Sequence, residues 1–274
     1  MPETRPIYLD CHATTPVDER VLAAMLPYFQ TRFGNPASGH TYGWEAQGAV
    51  EQARREVATA IGASPEDIVF TSGATEANNL AIKGVAEARH HRGRHLITVA
   101  TEHRAVLDPC RYLESIGFEI TVLPVQADGL VDITLLKQAL RPETILVSVM
   151  AANNEIGVLQ PLADIGALCR NHGVLFHTDA AQAIGKIPLQ VDALQVDLLS
   201  LTAHKLYGPK GIGALYRRHR PAVPLAPQLH GGGQEAGLRA GTLATPLIVG
   251  LAQAVSLALA ELTEEQTRLR QLRD

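Results

Sequence analysis

A chain of 274 residues, 46% hydrophobic and 19% charged, can bury a sizeable core and reads as an ordinary soluble globular protein of one large domain or two small ones. Its net charge of -4, with both signs interspersed, leaves no basic stripe of the kind that neutralises phosphate backbones, so a small-molecule partner is expected and nucleic acid is not. Met1 to Asp10 carries neither a secretory nor a transit pattern, which points to the cytoplasm. The cysteines, Cys11, Cys110 and Cys169, are odd in number, far apart and without C-x-x-C spacing, so they read as reduced thiols rather than a disulfide framework or a zinc site.

From about residue 66, short β-branched runs alternate with helical patterns, the signature of a doubly wound, mostly parallel α/β sheet with helices on both faces. The expected strands are Ile68–Thr71, Leu96–Ala100, Glu119–Leu123, Ile145–Met150, Val174–Asp179, Leu198–Thr202 and Ile212–Tyr216. Between them, apolar residues at three- and four-residue spacing predict helices over Glu76–Ala88, Ala105–Ser115, Ile133–Leu140 and Leu162–Asn171. The uncharged stretch from Ala240 to Ala260 approaches the length of a membrane span. Thr245 and Pro246 read instead as the N-cap and first turn of a buried or interface helix, and Gln253 and Ser256 interrupt its apolar face. Glu261 to Asp274 reads as a solvated helix, with Glu264 four residues before Arg268. It carries no C-terminal cap signal, so a cut chain or a following second domain is expected. Residues 1–15 form an N-terminal segment in this reading, 16–260 the large domain, and 261–274 the start of a helix leading to a further domain.

Four strand ends carry the chemistry. Lys205 follows an apolar strand in Ser200-Leu-Thr-Ala-His-Lys, where open α/β sheets place their ligands, and is a candidate Schiff-base lysine. Alone, it reads better as a solvated loop lysine. Asp179 ends another strand, with Gln182 three residues on; such a carboxylate can hold a pyridine nitrogen protonated so that the ring accepts electrons, although an isolated strand-end Asp is more often an N-cap. Thr71-Ser-Gly-Ala-Thr-Glu reads as a strand, a glycine turn and a helix start, either an ordinary capped turn or a phosphate cradle of backbone N–H groups and the Thr75 hydroxyl. It is neither a Walker loop nor a G-x-G-x-x-G, which leaves little weight for a Rossmann dehydrogenase. His103 follows a fourth strand and is either a ring-stacking proton shuttle or a surface histidine opening a helix. His90, His91 and His95 read as solvated, with a loose metal cluster left open.

The motifs Tyr8-Leu-Asp-Cys-His-Ala-Thr-Thr-Pro, Phe33-Gly-Asn-Pro-Ala-Ser, Phe70-Thr-Ser-Gly-Ala-Thr-Glu, Thr101-Glu-His, Asn153-Asn-Glu-Ile-Gly, His177-Thr-Asp-Ala-Ala-Gln, Ala203-His-Lys and His230-Gly-Gly-Gly-Gln-Glu resemble, in order, those of the cysteine desulfurases of the NifS/IscS group. These belong to the fold-type I, class V aminotransferase-like enzymes. The resemblance implies pyridoxal 5'-phosphate attached at Lys205, with Asp179 on the pyridine nitrogen, Gln182 on the phenolic oxygen and His103 stacked on the ring. It assigns the phosphate to Ala74, Thr75, Thr202 and His204, with Thr242 reaching it from the partner in a homodimer. Asn154 is then expected beside the cofactor and the substrate carboxylate, and Asn35 near the substrate entrance. The implied reaction converts L-cysteine to L-alanine and passes sulfur to an enzyme cysteine as a persulfide, for a sulfur acceptor or iron–sulfur scaffold protein. The family's sulfur-bearing cysteine lies in a C-terminal small domain, so it is expected to be missing here, and Cys11 is not promoted in its place. The same residues leave open a selenocysteine lyase, another class V lyase, or a non-catalytic scaffold.

Overall fold

The computed structural model describes residues 6–274, so the first five residues of the expected N-terminal segment lie outside the described residues. Seven strands form one sheet: β1 (Ile68–Thr71), β2 (His95–Val99), β3 (Glu119–Leu123), β4 (Thr144–Ser148), β5 (Leu175–Asp179), β6 (Leu198–Thr202) and β7 (Gly213–Arg217). Each overlaps an expected strand. The helices are α1 (Glu19–Met25), α2 (Pro27–Gln30), α3 (Thr41–Ala60), α4 (Ala74–Arg89), α5 (Arg104–Ser115), α6 (Ile133–Ala139), α7 (Leu162–Asn171), α8 (Thr245–Ala260) and α9 (Leu262–Arg273). The first three are additions to the sequence reading.

The strand order is β1-β7-β6-β5-β4-β2-β3, and every pairing is parallel except those that β7 makes with β1 and β6. Strands β1 to β6 therefore all end at the same edge of the sheet. Alternate residues of the central strands fill two cores. Ile97, Val147, Phe176, Leu199 and Leu201 pack on one face with side chains of α3, α7 and α8, while Leu96, Leu146, Leu175 and Leu198 pack on the other with α4 and α5. Burial on both faces is why these strands read as continuous apolar runs rather than alternating ones.

Polar ties cross the sheet as well. The fully buried His177 ring bridges three strands, with Nδ1 at 2.8 Å from the Ser148 hydroxyl and Nε2 at 3.0 Å from that of Ser200. Burial pushes its pKa down to about 3. The folded pKa lies below that of an unfolded histidine, so between roughly pH 6.5 and 3 the unfolded chain binds the proton and the folded chain does not. Stability is then lost as pH falls, by about 2 kcal/mol from this one group between pH 6.5 and 5. Urea melts across that range are expected to show a shallower decline for His177→Asn than for the unmodified chain; equal slopes would contradict the assignment.

Three expectations are corrected. His95 is not solvated: as the first residue of β2 it is buried, its ring held between the hydroxyls of Thr144 (2.7 Å) and Thr121 (2.8 Å). No metal-binding group of His, Cys, Asp or Glu side chains is found among the described residues. Arg268 pairs with Glu265, three residues before it, rather than with Glu264. Thr245 is the first residue of α8 and not its cap, which is Ala244 without a side-chain hydrogen bond. Among the described residues no single helix is long and apolar enough to cross a membrane; α8 packs on α3 and α1 and bends by 68° into α9.

Candidate active site

Because β1, β2, β4, β5 and β6 end at one edge, the segments that follow them converge on a single cavity of about 840 Å³. Ala74, Thr75, His103, Asn154, Asp179, Gln182, Thr202, His204 and Lys205 all line it. Nine of the eleven residues singled out in the sequence thus come together, from the ends of five different strands.

One end of the cavity is a helix N-terminus. Gly73 precedes α4 at φ +152°, a conformation that side chains disfavour, and this turn aims the first N–H groups of the helix at the cavity. Gly213 of β7 lies directly beneath, where a Cβ would come within 2.7 Å of the Gly73 Cα, so both glycines are required for the cradle to sit on the sheet. Glu76, in the first turn, would oppose an anion. At the cavity wall its charge is offset instead: its carboxylate accepts from Arg239 (2.9 Å) and from the Ser72 N–H (2.7 Å). Burial pushes its pKa up, but these bonds outweigh burial and hold the group below its ordinary value.

At the end of β5, Asp179 is 5% exposed and accepts hydrogen bonds from the Asn78 side-chain amide (2.7 Å) and the Ala181 N–H (2.9 Å). The Ala181 bond is the N-cap-like contact expected of a strand-end Asp. The Asn78 bond is not local, since it crosses from α4 over 101 positions of sequence. Lys205 stands at the neighbouring strand end. Burial lowers its pKa from the ordinary lysine value, while the Asp179 charge acts to raise it. Its loop is fixed by the N-terminal segment: Thr15 N–H and hydroxyl both donate to the His204 carbonyl (2.9 and 3.1 Å), and the Thr15 hydroxyl accepts from the Tyr207 N–H (2.8 Å). The Thr-Thr-Pro motif is therefore a clamp on the lysine loop. His204 itself lies below its ordinary pKa because of burial and the adjacent Lys205 and Lys210 charges.

His103 is exposed and opens α5, as the helix-start reading expects. Its Nδ1 accepts from the Ala105 N–H (3.0 Å) and caps α5, while the ring still lines the cavity. Since Nδ1 is the acceptor, a proton on the neutral ring resides on Nε2. Asn153 ties the loop after β4 to that after β2 by donating to the Thr101 carbonyl (2.9 Å), and this sets the neighbouring Asn154 in the cavity wall. Buried Glu102 was missed in the sequence; its carboxyl accepts from the Met150 N–H, and burial, with the nearby Asp179 charge, raises its pKa well above the ordinary value.

Asn35 and Thr242 are not in this cavity. Both line a second one of about 580 Å³ beside β1. The loop carrying Thr242 is held there by Glu235, which is buried, accepts from the Phe70 N–H of β1 (2.6 Å) and pairs with Arg54 of α3 (2.7 Å). Asn35 sits in the turn between α2 and α3, its side chain accepting from the Ala37 N–H (2.9 Å). Within one chain, neither residue meets the Lys205 cavity.

The Aminotransferase class-V family model matches residues 7–274. The chain belongs to that family. It is 56% identical over 272 residues to the cysteine desulfurase IscS of Rickettsia rickettsii (strain Iowa), covering 99% of this chain and 66% of the relative. A solved NifS-like protein superposes with a TM-score of 0.95 at 45% identity, over 98% of this chain and 74% of that one. A solved structure of SspA in complex with cysteine gives a TM-score of 0.89 at 49% identity, over 92% and 72%. This class-V chain thus spans a little under two thirds of its curated relatives' length.

The cavity suits pyridoxal phosphate by its donor set. A helix N-terminus for a phosphate, a buried carboxylate for a ring nitrogen, an amide for a phenolic oxygen and a lysine amine line the same space.

Proposed function

We propose that this chain carries the cofactor-binding part of a pyridoxal-phosphate-dependent cysteine desulfurase, acting on L-cysteine to give L-alanine. What carries the reading is one observation: Lys205 and Asp179, at neighbouring parallel strand ends, share a cavity with the α4 N-terminus. Ala74, Thr75, Thr202 and His204 would hold the phosphate, Asp179 the ring nitrogen and Gln182 the phenolic oxygen. Pyridoxal phosphate, when bound, supplies an electron sink for charge developing at the substrate α-carbon.

The chain's own groups do the remaining work. Lys205 Nζ, lowered in pKa by burial, gives up and regains a proton more readily than a surface lysine. His103 Nε2 holds a second proton at the ring face of the cavity. Asn154 would orient the substrate carboxylate. In the overall exchange the C–S bond of L-cysteine breaks, its sulfur joins an acceptor thiol as a persulfide, and the carbon skeleton leaves as L-alanine. Cys110 and Cys169 do not suit the acceptor role: both are buried, and burial pushes their thiols up to about 12. We assign that role to a different thiol. Asn35 and Thr242 would meet a Lys205 cavity across a homodimer, Thr242 contributing to the partner's phosphate site.

The test is incubation of the chain with pyridoxal phosphate, L-cysteine and a small dithiol as surrogate acceptor. L-alanine formation is expected, and the Cys110→Ala/Cys169→Ala double variant should retain it. Cofactor uptake with no alanine from either cysteine or selenocysteine would sink the desulfurase reading and leave a binding scaffold.

A further inference from the structure

Gln182 is 8% exposed and lines the cavity, and the two ends of its amide have nearly the same shape. Its neighbours are not so ambiguous. Lys186 Nζ lies 2.5 Å from Gln182 Oε1, and Gln182 Nε2 lies 3.0 Å from the His12 carbonyl oxygen. An ammonium can only donate and a backbone carbonyl can only accept. Both partners therefore demand the same orientation, and a flipped amide would set N–H against ammonium and oxygen against oxygen. One Nε2 hydrogen serves His12, which leaves the other as a donor.

We propose that Lys186 is a positioning residue: by holding Gln182 Oε1 it obliges the amide to offer an N–H donor to an anionic ligand oxygen in the Lys205 cavity. This deepens the reading above and rests on it, because the ligand oxygen there is the phenolic oxygen of the cofactor. Local structure supports the arrangement. Residues 180–187 coil in consecutive turns, with Ile184 and Ile187 N–H groups donating back to Ala180 and Ala183, which brings positions four apart onto one side. The Lys186 backbone is anchored from α9, whose Gln266 side chain donates to its carbonyl (2.6 Å). The ammonium is costly to keep there: burial and the neighbouring Lys205 push its pKa down to about 8, with Cys11 opposing. It is still protonated at neutral pH, and its hydrogen bond to Gln182 is a specific return for that burial.

A double-mutant cycle on the full chain tests this, with pyridoxal phosphate as probe and both its dissociation constant and its bound absorption spectrum as readouts. Lys186→Met is expected to weaken binding roughly 5- to 10-fold, as loss of one hydrogen bond of ordinary strength would. Its bound-cofactor spectrum should take on that of Gln182→Ala. In the Gln182→Ala background the same substitution should change affinity by less than about twofold. Lys186→Gln, which retains a donor, should stay near the unmodified chain and keeps the test open should the methionine variant fail to fold. An equal loss from Lys186→Met in both backgrounds, or no loss at all, overturns the proposal while leaving the cofactor reading intact. Failure of the unmodified chain to bind pyridoxal phosphate would overturn both.

Discussion

Lys205→Ala is expected to fold, to bind pyridoxal phosphate only reversibly, and to lose alanine formation by a factor on the order of 10³ or more. The fold should survive because the substitution removes a partly buried ammonium that burial already disfavours, and no other side chain depends on it for a hydrogen bond. The activity should not survive, since in the proposed function Lys205 is both the attachment point and the proton carrier. A positioned acid or base alone contributes about 10²–10⁴-fold. Retention of bound cofactor through gel filtration separates the two roles: the unmodified chain should keep it and the variant should shed it. Near-normal alanine formation by the variant would move the chemistry to another residue.

Asp179→Ala is expected to lower alanine formation by a similar order, about 10³-fold, equivalent to roughly 4 kcal/mol of transition-state stabilisation. The carboxylate is the buried negative charge on the cavity wall that suits a protonated ring nitrogen. Asp179→Asn is the sharper variant. It keeps the volume and an acceptor for the Ala181 N–H while removing the charge, so it should fall nearly as far in activity. Asp179→Ala should also cost stability, on the order of 1–3 kcal/mol, because the Asn78 amide would lose its buried acceptor. Comparable activity in the asparagine variant would show that the carboxylate acts through Asn78 and Ala181 alone. Thermal melts of the two variants separate the structural loss from the chemical one.

The strands and the cavity edge were legible in the sequence for a physical reason: strands buried on both faces must be apolar throughout, and ligand-facing polar residues can only follow their carboxyl ends. Lys205, Asp179 and the Gly73 turn stood out on that basis. Helix α3 did not, because its buried face is made of Gly43, Ala46, Ala53, Ala58 and Ala60 with only two valines, and small residues give a weak helical period. His95 was misread for its neighbours, the arginines and histidines of the preceding turn, although it begins a strand. Contacts between distant segments were beyond any local pattern: Asn78 to Asp179, Thr15 to His204, and Glu235 to Phe70 arise only when the sheet is assembled. The Lys186–Gln182 pair is of the other kind. Its four-residue spacing was present in the sequence, but a turn rather than a long helix carries it, and no periodic stripe marks the position.

Lys205 is the proposed covalent anchor, and the most direct measurement is a peptide map after borohydride reduction of the chain loaded with pyridoxal phosphate. The reduced pyridoxyl mass is predicted on the peptide containing Lys205. The same mass on Lys186 or Lys210, or on no lysine of the chain, would contradict the account.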